Sequence, residues 1–148
     1  MRIGKFKILI GLAAIGVAVA IVYARTPDYE YVTGTDIVSF DTNSIPSDSA
    51  RAYCYVGKGG EKLHFILARG NDGKVSSVFD ACSQCYTYHR GYKIARGEVI
   101  CRVCGNRYPV GRLREGKASC VPVALPHQED SGQVKIKTSD LESGRWLF

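Results

Sequence analysis

Hydrophobic and polar positions divide this chain into two unlike parts. Residues 8–24 (ILIGLAAIGVAVAIVYA) carry no charge and follow Arg2, Lys5 and Lys7. At about 1.5 Å of rise per residue they make roughly 25 Å of helix, at the short limit for a membrane span. The basic flank predicts an amino terminus left in the cytoplasm, with everything after Arg25 on the extracytoplasmic side. A cleaved signal peptide is the competing reading, because Ala18-Val19-Ala20 and Val22-Tyr23-Ala24 place small residues at suitable spacing. A retained single-pass anchor in the cytoplasmic membrane is the reading adopted.

Beyond residue 25 the pattern changes to short runs of apolar residues separated by turn signals. Residues 27–49 read as polar loop around one strand at 36–41. Residues 52–56, 63–68 and 74–79 read as three strands, joined through Gly57-Lys58-Gly59-Gly60 and Gly70-Asn71-Asp72-Gly73, the latter a good hairpin turn. Residues 133–137 alternate polar and apolar side chains and predict a further strand. No stretch between 25 and 148 keeps a helical period. The expected fold is mainly β, a small antiparallel sandwich or barrel with long loops that carry the cysteines. The expected organisation is an anchor over residues 1–25, a linker with the first strand over 26–50, and an exported domain over 51–148.

Composition agrees with one modest domain. With 148 residues, 45% hydrophobic and 23% charged, wholesale disorder is excluded. Sixteen glycines and nine tyrosines against one methionine favour strands and turns over a helical bundle. The net charge of +6 is concentrated at residues 90–117, where Arg90, Lys93, Arg96, Arg102, Arg107, Arg112, Arg114 and Lys117 face only Glu98 and Glu115. With a membrane segment ahead of it, this basic stretch argues for an acidic protein partner rather than nucleic acid.

The chemistry lies in the cysteines. Cys82-Ser-Gln-Cys85 and Cys101-Arg-Val-Cys104 are fifteen residues apart, a spacing suited to a four-thiolate metal site. Two residues between ligands form a tight turn that aims both sulfurs at one ion while backbone amides face the sulfurs. Gly105 suits such a knuckle, where positive φ is often needed. Disulfides are the alternative in an oxidising compartment, although each close pair would close only a tiny loop. A dithiol redox pair also stays open. Covalent haem is disfavoured, because Tyr86 and Gly105 stand where histidine would be required. Cys120 and His89 are further candidate ligands. Cys54 reads as a buried apolar residue, with a Cys54–Cys120 bridge as a second option, His64 as packing or surface, and His127 has no assigned role.

These residues carry a resemblance. Phe79-Asp80-Ala81-Cys82-x-x-Cys85, Gly91-Tyr92, Val99-Ile100-Cys101-x-x-Cys104-Gly105-Asn106-Arg107-Tyr108 and Cys120-Val-Pro-Val-x-Leu125-Pro126 together resemble the membrane iron–sulfur family typified by the FtrD component of bacterial iron uptake. The resemblance covers roughly residues 50–140 and implies an exported redox module linked to membrane transport of iron or other metals. In order of elements the chain also resembles Rieske domains, with Cys85 and Cys104 standing where those have histidines. An all-thiolate cluster in such a fold should have a lower potential.

Four thiolates suit zinc and iron–sulfur clusters alike. The resemblance, together with Arg102 and Arg107 beside the second pair, favours a 2Fe–2S cluster. Zinc, a single iron or copper are the alternatives. Tyr86, Tyr88, Tyr92 and Tyr108 are candidates to shield the centre. The expected function is electron transfer between a membrane redox complex and an exported acidic partner. A structural zinc subunit and a metal chaperone using Cys120 are the competing classes. No nucleophile–base pair, phosphate loop or carboxylate pair points to a stand-alone enzyme.

Overall fold

The structure, a computed structural model, describes residues 28–115 and 120–148. The expected membrane segment at 8–24 lies outside the described residues. Among the described residues no helix is long and apolar enough to cross a membrane.

Eleven strands and one short α-helix are found among them, and the domain is mainly β. The strands are β1 (Tyr29–Val32), β2 (Ile37–Asp41), β3 (Ser49–Val56), β4 (Lys62–Arg69), β5 (Val75–Cys82), β6 (Tyr92–Ala95), β7 (Glu98–Cys101), β8 (Arg107–Pro109), β9 (Pro122–Ala124), β10 (Gln128–Asp130) and β11 (Gln133–Lys137); α1 is Thr138–Ser143. They form a five-stranded sheet in the order β1-β3-β4-β5-β9 and two three-stranded sheets, β10-β11-β2 and β6-β7-β8. All pairings are antiparallel except β1 with β3.

The five-stranded sheet is covered on both faces, which is why β4 and β5 lack clean alternation. On one face Tyr53, Tyr55, Phe65 and Phe79 pack with Phe40 of β2, Val134 and Ile136 of β11, and Leu141 of α1. On the other, Ile66, Ala68 and Val78 pack with Tyr92, Val99 and Tyr108 of the β6-β7-β8 sheet, and with Cys82, Cys101 and Cys120. Successive side chains of a strand point to opposite faces, so one strand serves both cores. The cysteine region therefore belongs to a hydrophobic core.

Three expected strands lengthen. The run 52–56 becomes Ser49–Val56, 63–68 becomes Lys62–Arg69, and 74–79 becomes Val75–Cys82, so Cys82 lies at a strand end rather than in a loop. Cys101 likewise ends β7. The strand at 133–137 has the expected bounds and alternation. The stretch read as polar loop contains β1 as well as β2.

Candidate metal centre

Two knuckles close by backbone bonds of different span. After Cys82 the chain turns, with the Cys85 amide donating to the Cys82 carbonyl at 3.2 Å, and enters a 3-10 turn at Tyr86–Tyr88. After Cys101 the Gly105 amide donates to the Cys101 carbonyl at 3.0 Å, and the Cys101 amide donates to the Asn106 carbonyl at 2.9 Å. Gly105 holds φ at +74°, a left-handed conformation that most side chains resist.

Backbone bonds then fix the loops to one another. The Ser83 amide donates to the Val121 carbonyl at 3.0 Å, and the Val121 amide donates to Ser83 Oγ at 3.3 Å. Pro122 of β9 faces Cys82 across the sheet. These contacts set Cys120 against the first knuckle. The Arg102 amide donates to the Gly91 carbonyl at 3.1 Å, and Arg102 Nε donates to the Tyr92 carbonyl at 2.8 Å, tying the second knuckle to the start of β6.

Asp80 joins the two halves. It is buried two residues before Cys82, and its Oδ1 accepts from the Tyr92 amide at 2.6 Å while its Oδ2 accepts from the Tyr29 hydroxyl. Burial pushes its carboxyl up to about 6, against the bonds from Tyr29 and Tyr92 and the charge of Arg102. Gly91 completes the junction. It holds φ at +57°, and a Cβ there would lie 2.6 Å from the Asp80 carboxylate. The pairing of an Asp-Ala-Cys stretch with a Gly-Tyr stretch thus has a steric and hydrogen-bonding cause. Asp80 carries no role in the sequence reading, although an acidic residue set between Phe79 and Ala81 just before a cysteine pair was the signal.

The sulfurs of Cys82, Cys85, Cys101 and Cys120 lie within 4.8 Å of one another. Cys120 Sγ is 3.4 Å from Cys85 Sγ and 3.0 Å from Cys104 Sγ. Cys104 is exposed and is not one of the mutually close four, so five thiols converge with Cys120 between Cys85 and Cys104. His89, at φ +48°, lines a cavity with Cys82, Cys85 and Cys101 but is not in the close group. All six cysteines are free, and Cys54 is fully buried opposite His64 in the β3–β4 pairing. His64 stacks on Tyr29 with ring centres 4.4 Å apart. His127 Nδ1 lies 2.7 Å from Ser77 Oγ.

The five thiols differ in their hold on a proton. Burial raises Cys82, but the Cys120 side chain and the amides of Gln84 and Cys85 outweigh it and bring it below the usual thiol value. Cys104 is lowered in the same way, burial being outweighed by Cys120, the Asn106 amide, Cys101 and Cys85. Burial pushes Cys85 up to about 12, raises Cys101 despite the Cys104 and Val103 amides, and raises Cys120, which holds its proton towards its neighbours. A bound cation would displace those protons and repay the burial of the sulfurs.

These residues fit a metal centre on two grounds. A tetrahedral ion about 2.3 Å from each sulfur sets its ligands roughly 3.8 Å apart, which the close four can satisfy. Tyr92 and Tyr108 supply the other. Both are buried, and among the described residues neither hydroxyl has a hydrogen-bond partner of normal geometry, the Cys82 side chain lying near Tyr92 and the Asn106 side chain near Tyr108. Burial, the charges of Cys82, Tyr108 and Cys101 and the Cys82 side chain raise Tyr92, while burial and the charges of Cys120, Cys82 and Cys104 bring Tyr108 up to about 12 against the Asn106 side chain, so both stay protonated. An orphaned buried hydroxyl costs about 1–3 kcal/mol, and the Cys82 sulfur is the acceptor beside Tyr92 while the charges of Cys120, Cys82 and Cys104 act on Tyr108. Of the arginines read beside the second pair, Arg107 forms an exposed ion pair with Glu98 at 2.7 Å, and Arg102 turns to Tyr92.

The fold and its converging knuckles define a β-sheet protein with a thiol cluster that could hold a metal ion. The chain belongs to the FtrD-like family, described as membrane iron–sulfur-containing proteins, whose model matches residues 45–148. The match spans both knuckles, Cys120 and the last strand. A comparison with curated proteins gives no match.

Proposed function

We propose that this protein is a single-pass electron carrier of the cytoplasmic membrane, anchored by residues 8–24 with its β domain on the extracytoplasmic side. It passes single electrons between a membrane redox complex and an exported acidic partner, in the service of iron or other metal uptake. Its centre is a 2Fe–2S cluster held by Cys82, Cys85, Cys101 and Cys104, with Cys120 able to take a ligand position. The two loops follow a Rieske-like order of elements, with thiols at all four positions. The observation that carries this reading is the convergence of five cysteine sulfurs from three segments, four of them in or against a hydrophobic core and Cys104 at its exposed edge.

An iron–sulfur centre supplies reversible one-electron chemistry. The protein's part is to hold the sulfurs in fixed turns, to exclude water with Tyr92 and Tyr108, and to aim backbone amides at Cys82, Cys101 and Cys104. The edge of the centre at Cys104 reaches solvent beside Val103. Arg90, Lys93, Arg96, Arg107, Arg112 and Arg114 are exposed in the same part of the chain and suit an acidic partner, with association rates that fall as salt rises.

Absorption and electron paramagnetic resonance spectra of the purified full-length protein test this. Visible charge-transfer bands that bleach on reduction, with iron and sulfide in equal amounts, are the expected result. A colourless protein carrying stoichiometric zinc would remove the reading. Zinc as a structural staple is the second reading, and the compactness of the close four favours it, since their spacing suits one ion.

A further inference from the structure

Exposed aromatic side chains gather beside the first strand. β1 is the outer strand of the five-stranded sheet, and Tyr29 and Tyr31, two residues apart on it, point to the same face. The Tyr29 ring stacks on His64 at 4.4 Å, and His64 meets the Phe148 ring edge-on at 5.6 Å. Phe148 lines one cavity with Tyr29, Tyr86 and Arg90. Tyr86 in turn meets the Trp146 ring edge-on at 5.0 Å and shares a 3-10 turn with Tyr88. Tyr31 is 62% exposed, Tyr88 65% and Trp146 58%, so three large rings along this line of contacts stand mostly in water.

Cations flank the rings. Lys62 Nζ lies 5.7 Å from the centre of the Tyr31 ring, and Arg90 is exposed. Tyrosine and tryptophan with lysine and arginine, rather than leucine, isoleucine and valine, is the composition of a surface that meets lipid headgroups, where a ring keeps one end apolar and one end wet.

The position of the anchor selects lipid over a protein partner for this edge. The apolar segment read at residues 8–24 ends five residues before Tyr29. Five residues reach at most about 18 Å. Tyr29 is therefore held within that distance of the end of the span, and the aromatic edge it belongs to is the part of the domain that the tether brings to the bilayer.

We infer that this edge rests on the membrane surface, with Tyr31, Tyr88 and Trp146 seated among the lipid headgroups and Lys62 and Arg90 directed to lipid phosphates. This rests on the anchor proposed above and adds the face by which the domain meets the bilayer. Cys82, Cys85 and Cys101 line the same cavity as Tyr29 and Phe148, so a domain docked in this way holds its thiols near the membrane, within reach of a membrane complex.

Trp146 is the chain's one tryptophan, so its fluorescence reports on the edge alone. Purified full-length protein is reconstituted into vesicles of phosphatidylcholine with a minority of phosphatidylglycerol, made with plain acyl chains or with chains brominated near the headgroup, and washed with alkaline carbonate. Brominated vesicles should remove most of the Trp146 emission, and acrylamide in the water should quench it severalfold less than in the urea-unfolded protein. Tyr31→Ser combined with Tyr88→Ser changes only exposed side chains, and should restore acrylamide access and weaken bromine quenching at unchanged metal content. Equal emission from plain and brominated vesicles, or full bromine quenching in the double variant, would overturn the docking face. Protection from acrylamide that grows with protein per vesicle, without bromine quenching, would overturn it in favour of a second copy of the chain. Protein that carbonate strips from the vesicles loses the anchor and this face together, whereas embedded protein with Trp146 in water loses this inference alone.

Discussion

Tyr92 and Tyr108 allow a sharp test of whether the cysteines hold metal. Among the described residues neither buried hydroxyl has a partner of normal geometry, and the two rings meet edge-to-face at 6.1 Å. Replacing either by phenylalanine keeps the ring, its burial and its contact, and removes only the oxygen. In the metal-free protein each replacement should therefore stabilise, by about 1–2 kcal/mol, because an unsatisfied buried hydroxyl costs about 1–3 kcal/mol. In the loaded protein the sign reverses. Thiolate sulfurs then accept from the hydroxyls, and a charge-assisted bond of about 1.5–3 kcal/mol is lost, which lowers metal affinity by roughly ten- to hundredfold.

Urea unfolding of the reduced, metal-free protein reads the first effect, and competition against a chromophoric chelator reads the second. Raised metal-free stability together with weakened metal binding is the expected pair. Variants that lose stability without metal and bind metal as tightly as the parent would refute the reasoning, because the hydroxyls would then be satisfied by the protein itself.

Three further expectations follow from the same contacts. Cys101→Ser should abolish metal binding and cooperative unfolding together, because metal binding and folding are coupled in small sites; retention of full metal content by elemental analysis would remove Cys101 from the ligand set. Gly91→Ala should destabilise by about 2 kcal/mol or more, since left-handed backbone alone costs an alanine roughly 1–2 kcal/mol and its Cβ would meet the Asp80 carboxylate; thermal unfolding reads this. Asp80 has its carboxyl raised by burial from 3.8 to about 6, so the folded state binds the extra proton between those values and stability falls as pH rises through that window. The loss amounts to about 3 kcal/mol. Asp80→Asn should remove that slope, and equal slopes for parent and variant in urea unfolding from pH 4 to 7 would contradict it.

Much of this arrangement is legible along the chain. The Gly70–Gly73 turn, the alternation at 133–137 and the two knuckles with Gly105 are local features, and local features survive into the fold because nothing distant has to be known to read them. β1 was not legible. Tyr29–Val32 is four residues of a pattern that polar loops also carry, and its partner is a parallel neighbour more than twenty residues away. Strand ends were read short at Cys82 because β5 is buried on both faces, so alternation fades where the strand continues.

The cysteine set illustrates where spacing stops and topology takes over. Two Cys-x-x-Cys pairs specify two turns, but not how those turns face one another. Here Asp80 decides that, by accepting the Tyr92 amide so that β6 and the β7 knuckle behind it are drawn up to the end of β5. Cys120, a candidate ligand from sequence with no neighbouring cysteine in the chain, is carried to the first knuckle by the pairing of β9 with β5 and by the Ser83–Val121 bonds. Its sulfur then lies nearer to Cys85 and Cys104 than a lone cysteine's position in the sequence would indicate. One buried carboxylate and one strand pairing thus convert three separate stretches into a single thiol cluster, and disturbing either should scatter the sulfurs while leaving both knuckles locally intact.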